Sequence, residues 1–237
     1  MFLFDERYAT FTMFSLSHLV PVALTVAAVV LIVVGRRRLL TMRRFDRGFR
    51  IVFAVVPVAM ELTFNFWAIV RGGTAAVFLP FGLCTLSMYL TSVALLTRSD
   101  ALAKVIFPWA VAGALLSLVV ADLDYDFPHF RYFHYFGNHS MFLLANVYMQ
   151  ATSKTRFTYR HLLTSSGILL AIAVPMYFLN RLWGTNHMFL AAVPDEVAVL
   201  YAWAGDPWWV FVFGFSIFLL FHLVSLPLWI GRKRPAA

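Results

Sequence analysis

Seven long apolar stretches run through the chain, and short segments that hold most of the charged residues separate them. A helix that spans a bilayer needs about 20 mostly apolar residues, because each residue adds about 1.5 Å to its length. The pattern therefore predicts an all-α protein, a bundle of seven transmembrane helices. The predicted spans are residues 16–34, 51–70, 75–96, 105–120, 132–151, 162–182 and 208–230.

The composition also indicates a membrane protein. Of the 237 residues, 62 % are hydrophobic and 13 % are charged, whereas a soluble domain averages about 25 % charged residues. A soluble globular enzyme, a disordered chain and a repeat solenoid are excluded, since a soluble fold needs a charged coat. The sequence has no internal repeat and no linker long enough to separate two domains. Residues 1–237 are therefore predicted to form a single transmembrane helical domain.

The placement of the basic residues predicts the orientation in the membrane. Cytoplasmic loops carry an excess of Lys and Arg. With the N-terminus outside, 15 of the 19 basic residues fall on the cytoplasmic side. We expect an external N-terminus, a cytoplasmic C-terminus and a multi-pass location in the cell membrane. The net charge of +8 then reflects topology, so membrane lipids are the expected partners and nucleic acid is not.

Four polar residues lie inside the predicted spans, where such groups usually face the interior of a bundle. Glu61 lies roughly 14 Å from the outer end of the second span, and Asn65 follows one turn further out. Cys84, the only cysteine, lies at a similar depth in the third span, and His139 lies roughly 10 Å deep in the fifth. Because polar side chains avoid lipid by facing one another, these helices are expected to converge on one outer cavity.

These residue types have the chemistry of acyl transfer. A thiolate attacks a carbonyl carbon, an imidazole moves the proton, and a carboxylate orients the imidazole. The pattern predicts Cys84 as the nucleophile, His139 as the general base and Glu61 as the orienting carboxylate. Each residue also has a structural alternative: a protonated or hydrogen-bonded Glu, an inert buried Cys, and a His that only packs.

Further polar residues on the same helix faces, or near the loop after the sixth span, are candidates for binding the substrate. Side-chain amides donate to the oxyanion of an acyl-transfer intermediate, and a guanidinium contacts a phosphate. Two hydroxyls share the helix faces of the thiol and the imidazole. The candidates are Asn65, Asn138, Ser87, Tyr135, Asn186 and Arg181.

An acidic segment before the fifth span carries two histidines. It contains Asp122, Asp124, Asp126, His129 and His134. Their spacing matches no rigid metal site, so we expect a solvated loop, no bound metal and no cofactor. A seven-helix zinc hydrolase is a weaker alternative, because its site needs several His and Asp ligands at one level.

Several short motifs occur in the order found in a known family. They are Glu61 with Asn65-Phe66-Trp67, Leu79-Pro80 with Leu83-Cys84, Phe127-Pro128 with Phe130-Arg131-Tyr132-Phe133 and His139, and Asn186 with Met188-Phe189-Leu190. This set resembles the bacterial YwaF-type integral membrane family. That family is similar to eukaryotic transmembrane acyltransferases that move polyunsaturated acyl chains between phospholipids. The resemblance implies a Cys and His acyl-transfer mechanism, although Gly82 stands where family members usually carry a His.

The sequence supports two main hypotheses. The first is a membrane-embedded lipid acyltransferase or lipid hydrolase. On this hypothesis the lipid substrate enters the site laterally from the outer leaflet. The second is a non-enzymatic protein that binds or transports a lipid or hydrophobic solute, with Glu61 and His139 as polar anchors. Loss of lipid transfer in a Cys84→Ala variant favours the first, and loss of transport in a Glu61→Gln variant favours the second. An assembly subunit is a third hypothesis, without a positive sequence feature.

Overall fold

The computed structural model describes residues 2–8, 10–72 and 79–230. Within these residues the fold is all-helical, as predicted. Eight α-helices follow in chain order: α1 Leu16–Leu39, α2 Arg43–Val70, α3 Leu83–Thr97, α4 Asp100–Val119, α5 Phe130–Thr152, α6 Tyr159–Trp183, α7 Asp195–Ala198 and α8 Trp208–Ile230. Short 3-10 turns lie at Phe2–Phe4, Glu6–Tyr8, His187–Phe189 and Ala202–Ala204.

Five helices, α1, α2, α4, α6 and α8, are long and apolar enough to cross a membrane. The third predicted span begins outside the described residues, and α3 itself starts at Leu83 and is shorter. The fifth span corresponds to α5, which is 23 residues long but too polar to belong with the five apolar helices. These features make the chain a membrane protein, while the count of seven spans stays a prediction.

Local sequence accounts for where helices begin and end. Ser15 precedes α1, and its hydroxyl accepts a hydrogen bond from the backbone N–H of His18 at 3.4 Å. Ser99 caps α4 in the same way, which satisfies a backbone donor that has no partner inside the helix. At its other end α6 stops at Gly184, whose φ of 64° lies in the left-handed region that favours glycine.

Helices α4 and α5 form the interior of the bundle. Helix α5 packs against α1, α2, α3 and α4, and α4 also packs against α6 and α8. Twelve residues are buried in each of these two helices, against two of the 24 residues of α1. Because neighbouring helices shield α5 from lipid, it can carry polar side chains that a lipid-facing helix cannot. This position is compatible with the polar residues that α5 carries in its outer half, such as His134, Asn138 and His139.

Gly137 lets α2 come close to α5 next to the buried polar residues. A Cβ atom placed on Gly137 lies 2.9 Å from Met60 Cε. We expect Gly137→Ala to be tolerated because the end of the Met60 side chain can move, whereas Gly137→Leu should push the helices apart. The expected loss is about 1–3 kcal/mol in the free energy of unfolding, measured by thermal unfolding in detergent.

Gly167 provides the matched control for this prediction. It lies in α6, and a Cβ atom placed there meets nothing within 4 Å. Gly167→Leu should therefore leave the unfolding midpoint nearly unchanged. Equal losses at both positions would show that glycine itself, rather than the approach of the two helices, accounts for the effect.

Candidate functional site

A buried carboxylate, Glu61 in the second half of α2, joins three helices. Its Oε2 accepts hydrogen bonds from His134 Nε2 at 2.9 Å and from Asn138 Nδ2 at 3.3 Å, both on α5. Its Oε1 accepts from the Thr85 hydroxyl of α3 at 3.5 Å. Only 8 % of Glu61 is exposed. The predicted convergence of α2, α3 and α5 is therefore seen at this residue.

Arg131 extends this interaction along α5. Its Nη1 donates to His134 Nδ1 at 2.9 Å. Because a guanidinium only donates, His134 Nδ1 is an acceptor, and His134 Nε2 carries the proton that it donates to Glu61. The guanidinium lies 4.2 Å from the centre of the Phe64 ring, which also stacks on His134 at 4.6 Å. Arg131, His134 and Glu61 thus form a charge-balanced triad on an apolar support.

Cys84 lies beside this triad, at the junction of α3 and α4. Its Sγ is 3.7 Å from the Ser117 hydroxyl. A Cβ atom placed on Gly113, one turn earlier in α4, would lie 3.4 Å from the same sulfur. The absence of a side chain at Gly113 therefore leaves room for the thiol, and Ser117 supplies its polar contact.

His139 connects to the same serine through Tyr135. Its Nδ1–H donates to the Tyr135 carbonyl at 2.7 Å, which leaves Nε2 as the basic nitrogen of the neutral ring. The Tyr135 hydroxyl donates to the Ser117 carbonyl at 2.8 Å. The rings of Tyr135 and His139 are 4.6 Å apart between centres. The Cys84 thiol and the His139 imidazole are thus linked indirectly, through contacts of Ser117 and Tyr135.

The observed pairing of these groups differs from the expected one. Glu61 bonds His134, although it was expected to orient His139. The reason is geometric: His134 and Asn138 are four residues apart and share the α5 face toward α2, whereas His139 is rotated by about 100° from Asn138. Across the described residues, Cys84 Sγ and His139 are not directly hydrogen-bonded, so proton transfer between them requires a movement or a bridging group.

Sequence reasoning missed the central role of His134. The acidic segment that contains His134 is predicted to be a solvated loop, but His134 is buried in the second turn of α5. The available signal was a stripe of polar side chains at intervals of three and four residues, which is typical of one helix face. That stripe consists of Arg131, His134, Tyr135, Asn138 and His139. Thr85 and Ser117 had no comparable signal.

The remaining binding candidates in the bundle offer polar atoms to a ligand. Asn65 is half-buried, and its side chain bonds to none of the described residues. Asn138 donates to Glu61, and its own Oδ1 is buried without a partner among those residues. The Ser87 hydroxyl is likewise buried and unpartnered in the described part of the chain. Such atoms are usually satisfied by bound water or by a ligand.

Asn186 and Arg181 contact residues of their own segments. The Asn186 side-chain oxygen accepts from the backbone N–H groups of Ala191 and Ala192, both at 3.0 Å, so this amide stabilises its own loop. Arg181 is exposed, and its guanidinium lies 4.3 Å from the centre of the Tyr177 ring. Neither of these contacts involves the triad or Cys84.

The acidic segment before α5 is partly buried, which corrects the expectation of a solvated loop. Asp122 and Asp124 are exposed, but His129 is fully buried. The N-terminal residues cover this segment, since Phe11 N–H donates to the Asp124 carbonyl at 3.1 Å. Within residues 2–8, 10–72 and 79–230, no group of three His, Cys, Asp or Glu residues is placed to hold a metal ion.

An apolar groove of about 820 Å³ runs between α1 and α5. Leu24 and Leu144 line its deeper part, and Asp126 lies at its outer end. Gly137, which precedes Asn138, also lines the groove. The groove therefore runs along α5, but the triad residues, Cys84 and His139 do not line it.

Comparison with known proteins identifies one family. The family model described as the TMEM164 family matches residues 13–226, a range that contains every residue of the site. No curated protein and no solved structure matches the chain.

Proposed function

We propose a lipid acyl-transfer function for this chain from the premise that it belongs to the TMEM164 family. The observation that supports it best is the position of the single thiol. Cys84 Sγ lies 3.7 Å from the Ser117 hydroxyl. Cys84 also precedes Thr85, whose hydroxyl donates a hydrogen bond to the buried Glu61 carboxylate. A thiol, an imidazole linked to it through Ser117 and Tyr135, and the Arg131–His134–Glu61 triad are therefore neighbours inside an otherwise apolar bundle.

The proposal includes the topology predicted from charge. Seven helices cross the cell membrane, with the N-terminus outside and the C-terminus in the cytoplasm, and residues 1–237 form a single domain. Helix α5 crosses in the interior, where its neighbours compensate for its polarity. Glu61 then lies about 14 Å from the outer end of α2, within reach of lipid that enters from the outer leaflet.

The first chemical step forms a thioester. Cys84 Sγ attacks the carbonyl carbon of a phospholipid ester, and its proton passes to His139 Nε2 through a bridging group or after a movement that brings the two side chains together. The ester C–O bond breaks as the tetrahedral intermediate collapses, and the leaving lipid oxygen takes the proton back from His139. The products are an acylated Cys84 and a lysophospholipid.

The second step releases the acyl chain to a hydroxyl. The hydroxyl of a second lysolipid attacks the thioester carbon while His139 takes its proton. The C–S bond breaks, the thiolate regains the proton, and a new phospholipid is formed. When water is the acceptor, the product is a free fatty acid, so transferase and hydrolase use the same intermediate.

The other residues position these groups. Arg131, His134 and Glu61 fix the α5 face that precedes His139. The side-chain amide of Asn65 is free to donate to the oxyanion, whereas that of Asn138 is already bonded to Glu61. The groove between α1 and α5 receives the acyl chain, because its lining is apolar and it runs along α5.

The thioester gives a direct test of this function. The purified chain is placed in liposomes with a phospholipid labelled in one acyl chain and an unlabelled lysolipid. We expect labelled product lipid, together with a protein species heavier by one acyl group that neutral hydroxylamine removes. Because Cys84 is the only cysteine, the adduct reports on this residue alone. Absence of both the labelled product lipid and the protein adduct would refute the proposed acyl-transfer function.

Lipid binding without turnover is the second candidate function. It is favoured by the bonds of Glu61, which go to His134, Asn138 and Thr85 rather than to the thiol. On this hypothesis the triad anchors a polar headgroup. Retention of bound lipid in Cys84→Ala, its loss in Glu61→Gln, and no acyl product from the unaltered protein would together favour it.

A further inference from the structure

A second polar cavity lies at the opposite end of the bundle from Glu61. Its volume is about 460 Å³, and it lies between the start of α2, the turn that joins α3 to α4, and the end of α5. Asp46 lines this cavity and precedes Glu61 by 15 residues in α2. The two sites are therefore separated by about 22 Å along the helix, and acyl transfer uses none of the residues of the second cavity.

Positive charge dominates the lining of this cavity. It has four cationic side chains and two carboxylates, so two positive charges are in excess. The cationic residues come from α2, from the turn after α3 and from the segment after α5. They are Arg43, Arg50, Arg98 and Lys154.

One carboxylate holds two of the arginines in place. Asp46 accepts hydrogen bonds from Arg50 Nε at 2.7 Å and from Arg98 Nη1 at 2.8 Å. It also accepts from the Tyr148 hydroxyl at 2.9 Å. Two guanidinium groups thus share one negative charge in a fixed arrangement, and their remaining N–H donors can bind another anion.

The other carboxylate is already neutralised. Asp100 is bonded to Lys104, which is 2 % exposed, and to Thr155. Arg43 and Lys154, by contrast, have no carboxylate partner among the described residues, and both are exposed. These two side chains therefore carry positive charge that no carboxylate offsets, in addition to the one positive charge left over where Arg50 and Arg98 share Asp46.

We propose that this cavity binds a phosphate group. Arginine presents parallel N–H donors that match phosphate oxygens, and here two arginines are oriented in advance by Asp46. Arg43 and Lys154 add the charge that a phosphate requires. The ligand is either an anionic membrane lipid that inserts its headgroup or a soluble phosphate compound, since the same chemistry recognises both. Binding at this site does not depend on the acyl-transfer proposal.

A general attraction of basic residues to anionic lipid is the competing explanation, and α2 offers a matched control for it. Arg44 and Arg47 are exposed on the same helix but do not line the cavity. The variant Arg44→Gln with Arg47→Gln removes the same charge as Arg43→Gln with Lys154→Gln. Only the second pair should impair a specific site.

The test measures binding to the purified full-length chain. One arm titrates inorganic phosphate against the protein in neutral detergent, and the other compares nanodiscs of phosphatidylcholine with and without phosphatidic acid. We expect at least one arm to show saturable binding, weakened about tenfold or more by Arg43→Gln with Lys154→Gln and less than about twofold by the control pair.

The outcomes of this experiment distinguish the two sources of the phosphate group and show whether the site is specific. Binding in the phosphate arm identifies a soluble ligand, and binding only to phosphatidic acid identifies a lipid headgroup. Equal weakening by both variant pairs overturns the proposal in favour of a general surface effect. No saturable binding in either arm also overturns it. Acyl transfer serves as a separate readout, so failure of that function is distinguishable from failure of this site.

Discussion

Replacing Cys84 with alanine is expected to reduce the rate of acyl transfer by about a thousandfold or more. In the proposed mechanism the Cys84 thiol forms the covalent intermediate, so its loss removes the reaction path that runs through the thioester. Because Cys84 is half-buried against Gly113 and Ser117, alanine fits the same space without a clash. The rate is measured as labelled phospholipid formed per minute in liposomes.

Two controls separate this loss from a damaged fold. Ser92 lies two turns further along α3, and its hydroxyl bonds the Met88 carbonyl at 3.1 Å, so Ser92→Ala should keep most of the activity. Alkylation of the unaltered protein should abolish activity as the alanine variant does, since it has one thiol. A Cys84→Ala protein that retains full transfer would refute Cys84 as the nucleophile and require another group to accept the acyl chain.

Removing the carboxylate of Glu61 is expected to destabilise the bundle more than any other single change discussed above. In Glu61→Ala the half-buried Arg131 loses the compensating charge of Glu61, and His134 loses the acceptor for its Nε2 proton. Breaking a buried charge-balanced network in this way costs about 3–5 kcal/mol, which lowers the thermal midpoint by about 10 °C for a chain of this size. Thermal unfolding in detergent measures the shift.

A double-mutant cycle between Glu61 and Arg131 tests whether the loss of stability comes from charge balance rather than from lost packing. Glu61→Gln keeps the shape of the side chain and should cost less than Glu61→Ala. Combining it with Arg131→Gln should cost less than the sum of the two single changes, because no uncompensated charge remains. Asp195→Asn is the control, since Asp195 is exposed and its change should shift stability by about 0.5 kcal/mol or less. Simple additivity would contradict the charge-balanced triad.

Much of the architecture follows from local pattern. Apolar stretches of membrane-spanning length predict helices because a backbone in lipid must satisfy its own hydrogen bonds. The same reasoning directs polar side chains inward, and it correctly led to α2, α3 and α5 as the helices that meet at Glu61. Depth along a helix follows from a fixed rise per residue. These properties are set within one helix at a time.

The tertiary structure decided which polar groups become partners. A hydrogen bond requires atoms about 3 Å apart, whereas one residue along a helix rotates a side chain by about 100°. Depth alone therefore could not distinguish His134 from His139 as the partner of Glu61. That choice depends on how α5 turns toward α2, where Gly137 meets Met60. The interior position of α5 could likewise not be predicted from the pattern of α5 alone, because it depends on how four neighbouring helices pack around it.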